Sequence, residues 1–127
     1  MRYGYTRAVP ADFDSAIANT KEALAREGFG VLTEIDVKAT LKKKLDVDVD
    51  RYVILGACNP SFAHNALQTE PEIGLLLPCN VIVYEKDGAT HVSAIAPTVA
   101  MGMVENEALQ GIAGEVEEKL RRAVDSL

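Results

Sequence analysis

The chain has 127 residues, 48% of them hydrophobic and 25% charged, the proportions of a soluble globular protein rather than a disordered one. That length makes a single domain, 1–127, able to close a core without disulfides or a structural metal. Thirteen basic residues against 19 acidic ones leave a net charge of −6, which argues against a nucleic-acid partner.

Arg2–Val9 reads as a strand, with Tyr3, Tyr5 and Arg7 alternating against Gly4, Thr6 and Ala8, and Pro10 ends it. Asp12 is placed to cap a helix whose stripe is Phe13, Ala16, Ile17, Thr20 and Leu24. Lys21, Glu22, Arg26 and Glu27 face away, and Gly28 stops the helix in a left-handed conformation. Phe29–Ile35 is a strand with Phe29, Val31, Thr33 and Ile35 on one side. Asp36 caps a short helix, Val37–Leu45, whose Lys42-Lys43-Lys44 run forms a solvated face. The acidic alternation to Asp50 is a solvent-facing connection.

Tyr52–Ala57 is an apolar, β-rich central strand. Asn59-Pro60 starts a helix that runs to about Thr69. Ile73–Leu77 is an apolar loop bracketed by prolines. Asp87-Gly88 turns a hairpin between Asn80–Glu85 and Thr90–Ala96. Pro97–Val104 is an apolar connection. The last helix carries the stripe Leu109, Ile112, Ala113, Val116, Leu120, Ala123, Val124 and Leu127. Glu117–Arg121 and Glu118–Arg122 form four-apart pairs on its outer side. Gly111 and Gly114 weaken that helix, so the expectation is that another backbone approaches there. This order predicts an α+β two-layer sandwich: a mostly antiparallel five-stranded sheet with two long helices on one face and short inserted helices. A parallel doubly wound sheet is the competing topology.

No finger, phosphate-loop or serine-hydrolase motif occurs. No run of about 18 apolar residues could span a membrane, and no signal-like stretch opens the chain, so no membrane partner and a cytoplasmic location are expected. The candidate site is the pair Cys58 and Cys79. Cys58 ends one strand and Cys79 begins the next, so antiparallel pairing would put both at one sheet edge. Cys58 also precedes a helix N-terminus, where negative charge is favoured and a thiol is more reactive. Free cysteines otherwise serve as small buried apolar residues.

Asn59 and Asn80 follow the thiols and can donate hydrogen bonds, or act as cap and turn residues. His64 lies one turn into the helix as a possible base or soft-metal ligand. His91 is expected to face solvent in the hairpin. Met101 and Met103 could join the cysteines on a cuprous ion, although packing explains them. Glu34 and Asp36 share a strand face and could act as paired carboxylates, with capping as the plainer role for Asp36. No His/Cys spacing matches structural zinc, and no cofactor is expected.

Both faces of the central strands look apolar, since Tyr52, Ile54 and Cys58 oppose Val53, Leu55 and Ala57. The second face therefore needs a cover: the Pro60 helix, the Ile73–Leu77 loop, a second subunit or a ligand.

Three segments, Glu27–Asp36, Gly56–Pro60 and Ile73–Val81, resemble the domain of unknown function 302 family across nearly the whole chain. The resemblance implies a TATA-binding-protein-like order of strand, helix, four strands and helix, with the short helices as insertions. It implies a small bacterial or archaeal protein that dimerises, and it carries over no catalytic residue. The reading from sequence is a homodimeric ligand- or partner-binding domain with its site at the Cys58/Cys79 edge. A thiol-dependent enzyme or a redox or soft-metal protein using both cysteines is the alternative. A structural interaction module is the third reading.

Overall fold

The computed structural model describes residues 2–127. Five strands, β1 (Gly4–Val9), β2 (Gly30–Asp36), β3 (Tyr52–Cys58), β4 (Cys79–Lys86) and β5 (Ala89–Ile95), form one sheet. Their order is β1-β5-β4-β3-β2, and every neighbouring pair is antiparallel. The parallel alternative is thereby excluded. The helices are α1 (Phe13–Arg26), α2 (Val37–Leu45), α3 (Pro60–Thr69), α4 (Pro97–Ala100) and α5 (Glu107–Asp125), with short 3-10 turns at Pro71–Leu76 and Met101–Met103.

Local signals set the helix ends. Asp12, Asp36 and Asn106 each accept a backbone N–H three residues ahead, satisfying donors that the helix leaves unpaired. Gly28 has φ +86°, and the Gly28 and Phe29 amides donate back to the Ala25 and Leu24 carbonyls. That closure ends α1 and delivers Phe29 into the core.

α1 and α5 cover one face of the sheet. Their stripes bury Leu24, Leu120 and Val124 against Leu55, Val81, Val83 and Val92. Each side chain of this kind contributes about 1.5–3 kcal/mol by leaving water. A smaller cluster lies beside this core. There Ala66 of α3 and Ile73 meet Met101, Leu109 and Ala113. Ile112, expected in the buried stripe, is only half-buried.

Several expectations are corrected. A bulge at Leu32 shifts the register of β2 between Val31 and Thr33. The extra residue reverses the alternation. Val31 thus pairs with Ala57 on the helix side, while Thr33 and Ile35 pair with Gly56 and Ile54 on the other side. The first strand begins at Gly4, not Arg2. A Cβ at Gly111 or Gly114 would meet nothing within 4 Å, so no backbone approaches either. Arg121 pairs with Glu117, but Arg122 reaches Glu27 at 3.1 Å rather than Glu118.

The second sheet face is not covered by α3 or the Pro71–Leu76 turn, because both pack on α5 and on each other. It carries instead an aromatic row set by cross-strand register. Tyr52 stacks on Tyr84 with centroids 5.6 Å apart, and Tyr84 on His91 at 5.1 Å. His91 is therefore half-buried in a stack, not simply solvent-facing, and its Nδ1 has no hydrogen-bond partner. Burial, with smaller contributions from Tyr84 and Tyr3, raises the Tyr52 pKa.

Candidate functional site

At one end of the sheet the packing changes. The residues facing inward there are small: Ala57 on β3, Ala63 and Ala66 on α3, and Ala113 on α5. Side chains of that size do not fill the gap between the sheet end, α3 and α5. The result is a cavity of about 350 Å³. Phe29, Phe62, Met101 and Ile112 supply larger apolar walls, and Leu32 and Leu67 border it while remaining 67% and 43% exposed, so the cavity reaches the surface. None of its lining residues is charged, and Asn59 is its one amide.

Both cysteines border this cavity. Ala57 pairs with Cys79, so Cys58 and Cys79 lie at the same end of the sheet. Adjacent residues leave a strand on opposite sides. Cys79 therefore shares the helix side with Ala57, whereas Cys58 emerges on the other side of the pleat. Both are free thiols, Cys79 buried and Cys58 half-buried. Burial, and then the neighbouring Cys58, push the Cys79 thiol up to about 11. That group is held neutral at physiological pH.

Asn59 occupies the N-cap position of α3, but its side chain makes no cap bond. Its amide donates instead to the Glu27 carbonyl at 3.3 Å. The first-turn N–H groups of α3 are thus left without a side-chain cap from Asn59, immediately after Cys58. This orientation also ties α3 to the end of α1, since a Cβ on Gly28 would come within 3.0 Å of the Asn59 amide nitrogen.

The other candidates are not brought together. His64 is exposed on α3 and Asn80 is exposed on β4, opposite Gly56, and neither lines the cavity. Glu34 reaches Lys21 of α1 at 2.5 Å, while Asp36 caps α2 through the Ala39 amide, so the two carboxylates serve separate structural bonds. Met101 is buried in the cavity wall, but Met103 is 74% exposed elsewhere. No group of three or more His, Cys, Asp or Glu side chains placed for a metal occurs among the described residues.

The residues that sequence reasoning missed are the cavity's apolar walls: Phe29, Phe62, Ala66, Ile112 and Ala113. Their signal was present as a concentration of alanine and glycine from Gly56 to Gly74, facing another alanine on α5.

The family model described as "Domain of unknown function DUF302" matches residues 5–127. A crystal structure of an uncharacterized conserved DUF302 protein from Bacillus stearothermophilus is similar at 34% identity. It superimposes with a TM-score of 0.93, over 98% of each chain. No curated protein matches. The chain belongs to the DUF302 family.

Proposed function

We propose that this DUF302 member is a binding domain whose ligand is a small, uncharged apolar molecule held at the Cys58/Cys79 end of the sheet. The observation that carries this reading is the charge-free cavity of about 350 Å³ that reaches the surface. Ligand sites span roughly 300–1,000 Å³ and are mostly apolar with few polar groups. A void of this size inside a domain forfeits packing contacts, so an occupant that restores them stabilises the fold.

A second reading, thiol-dependent chemistry, is favoured by the position of both cysteines on the same cavity. Free thiols accord with a reducing compartment such as the cytoplasm. The aromatic sheet face is where a second copy would find apolar surface, and the homodimer reading rests there. The net charge of the whole chain, −6, weighs against a nucleic-acid partner.

The test uses N-phenyl-1-naphthylamine, a neutral dye that brightens on leaving water. Saturable binding by the native protein is expected, with loss in Ala63→Phe, which fills the cavity. Absence of saturable fluorescence in the wild type contradicts the proposal.

A further inference from the structure

We infer that the uncovered sheet face holds a second binding site, a trough of about 420 Å³ that takes a planar aromatic molecule with one negative charge, such as an aryl carboxylate. The trough lies on the side of the sheet away from α1 and α5 and is independent of the apolar cavity. Burial and register fix that side. Val81, Val83, Val92 and Ala94 are at most 1% exposed beneath the helices. The alternate residues Ile82, Tyr84 and Ser93 therefore emerge on the other face. Thr6 Oγ1 lies 2.7 Å from Ser93 Oγ, and a Cβ on Gly4 would come within 3.1 Å of the same oxygen. Thr6 and Gly4 thus share this face, and the missing side chain at Gly4 leaves the trough open there.

The walls are aromatic. Tyr84 has Tyr52 on one ring face and His91 on the other, with centroids 5.6 and 5.1 Å away. Rings stacked across the strands turn their edges, not their faces, along the strands towards the trough. A ring edge is the positive part of the aromatic quadrupole, so it attracts the π-face of a guest or an anion. Burial, and then the Tyr84 and Tyr3 phenols, raise the Tyr52 pKa, so its hydroxyl stays a donor at neutral pH. Tyr3 is close enough to act on that titration, and its ring, 74% exposed, forms the opposite wall.

The charge of the guest follows from the lining. Arg2 is its one ionic residue, and no acid lines the trough. Arg2 takes part in none of the ion pairs among the described residues. One guanidinium suits one carboxylate. A second negative charge would find no partner, and a cation would be repelled. In the Thr6–Ser93 pair one hydroxyl donates to the other, so the second hydroxyl hydrogen is free for a carboxylate oxygen. A volume of about 420 Å³ falls within the roughly 300–1,000 Å³ of small-molecule sites.

The experiment is calorimetric titration of the native chain with 2-naphthoate and with its neutral isostere 2-naphthamide. Naphthoate should bind saturably and about two- to fivefold tighter than the amide, the size of an exposed ion pair. Arg2→Gln should remove that difference and Arg2→Lys should keep it. Tyr3→Ala should weaken both compounds about two- to tenfold. In NMR spectra the ring signals of Tyr3, Tyr52 and Tyr84 should shift with naphthoate. Those of Tyr5, which is bonded to Asp125 at the end of α5, should not. Ala63→Phe should lose the N-phenyl-1-naphthylamine dye and keep naphthoate, which separates the two sites. No saturable naphthoate binding, equal affinity for the amide, or loss of naphthoate in Ala63→Phe overturns the trough site. So does an affinity that falls as protein concentration rises, because a second copy would then occupy this face.

Discussion

The two ends of the helix-covered sheet face share the sheet and α5 but are packed to different densities. Under α1 and the C-terminal half of α5, Leu24, Leu55, Val83, Leu120 and Val124 interdigitate and are at most 2% exposed. Under α3 and the N-terminal half of α5, the corresponding inward positions are Ala57, Ala63, Ala66 and Ala113, and a cavity of about 350 Å³ remains. The difference lies in side-chain volume, not in topology. Interiors are normally close-packed, so a void left by small residues is a local departure from that rule. One end of the molecule is therefore a scaffold, and the other has room for a guest.

Substitutions can break this contrast. Leu120→Ala in the packed end should destabilise the protein by about 2–5 kcal/mol in chemical denaturation, as large-to-small core changes do. A near-neutral result would mean that this end is loose too. Overfilling should then separate the ends. Ala123→Leu, in the packed core, should cost about 1–3 kcal/mol from strain. Ala113→Leu, on the cavity wall, should be tolerated within about 0.5 kcal/mol, because the added carbons enter the void and replace lost contacts. Equal penalties at the two alanines would contradict the comparison.

Smaller effects sharpen it. Asn106 caps α5 at the Leu109 amide and also donates to the Thr69 carbonyl, tying α5 to the end of α3. Asn106→Ala should cost about 0.5–2 kcal/mol and weaken dye binding as well, since both helices wall the cavity. Cys79 adds a pH signature. Its pKa is raised in the folded protein from 9.0 to about 11. Folding keeps the proton that the unfolded chain releases, so the stability tied to this group is complete below pH 9 and declines as pH rises towards 11. Denaturation midpoints measured across that window should fall more steeply in the wild type than in Cys79→Ala. Least of all, Arg122→Ala removes an exposed contact to Glu27 and should change stability by less than about 1 kcal/mol.

Much of the architecture was legible in the residues. The α5 stripe, the Asn59-Pro60 helix start, the Asp87-Gly88 turn and the left-handed Gly28 each act through local chemistry, and each stands where periodicity and capping place it. The bulge at Leu32 was not legible, because nothing in Val31-Leu32-Thr33 marks an extra residue. Only pairing with β3 reveals the slip, and it moves Thr33 and Ile35 to the other face. Local sequence makes Asn59 a cap, whereas its amide donates to a carbonyl 32 residues away. Of the candidate site, the shared sheet end of Cys58 and Cys79 followed from the strand order. The cavity did not, because a void arises only when small residues from three distant segments meet.

Diffraction from crystals held under xenon pressure tests the cavity most directly. Xenon enters dry apolar cavities without needing a polar contact. An ordered xenon site is expected among Ala57, Phe62, Ala66 and Ala113, present in the wild type and displaced in Ala113→Leu. Crystals that show no xenon there, or ordered water in its place, would contradict the claim that this end of the fold is a dry site for an apolar guest.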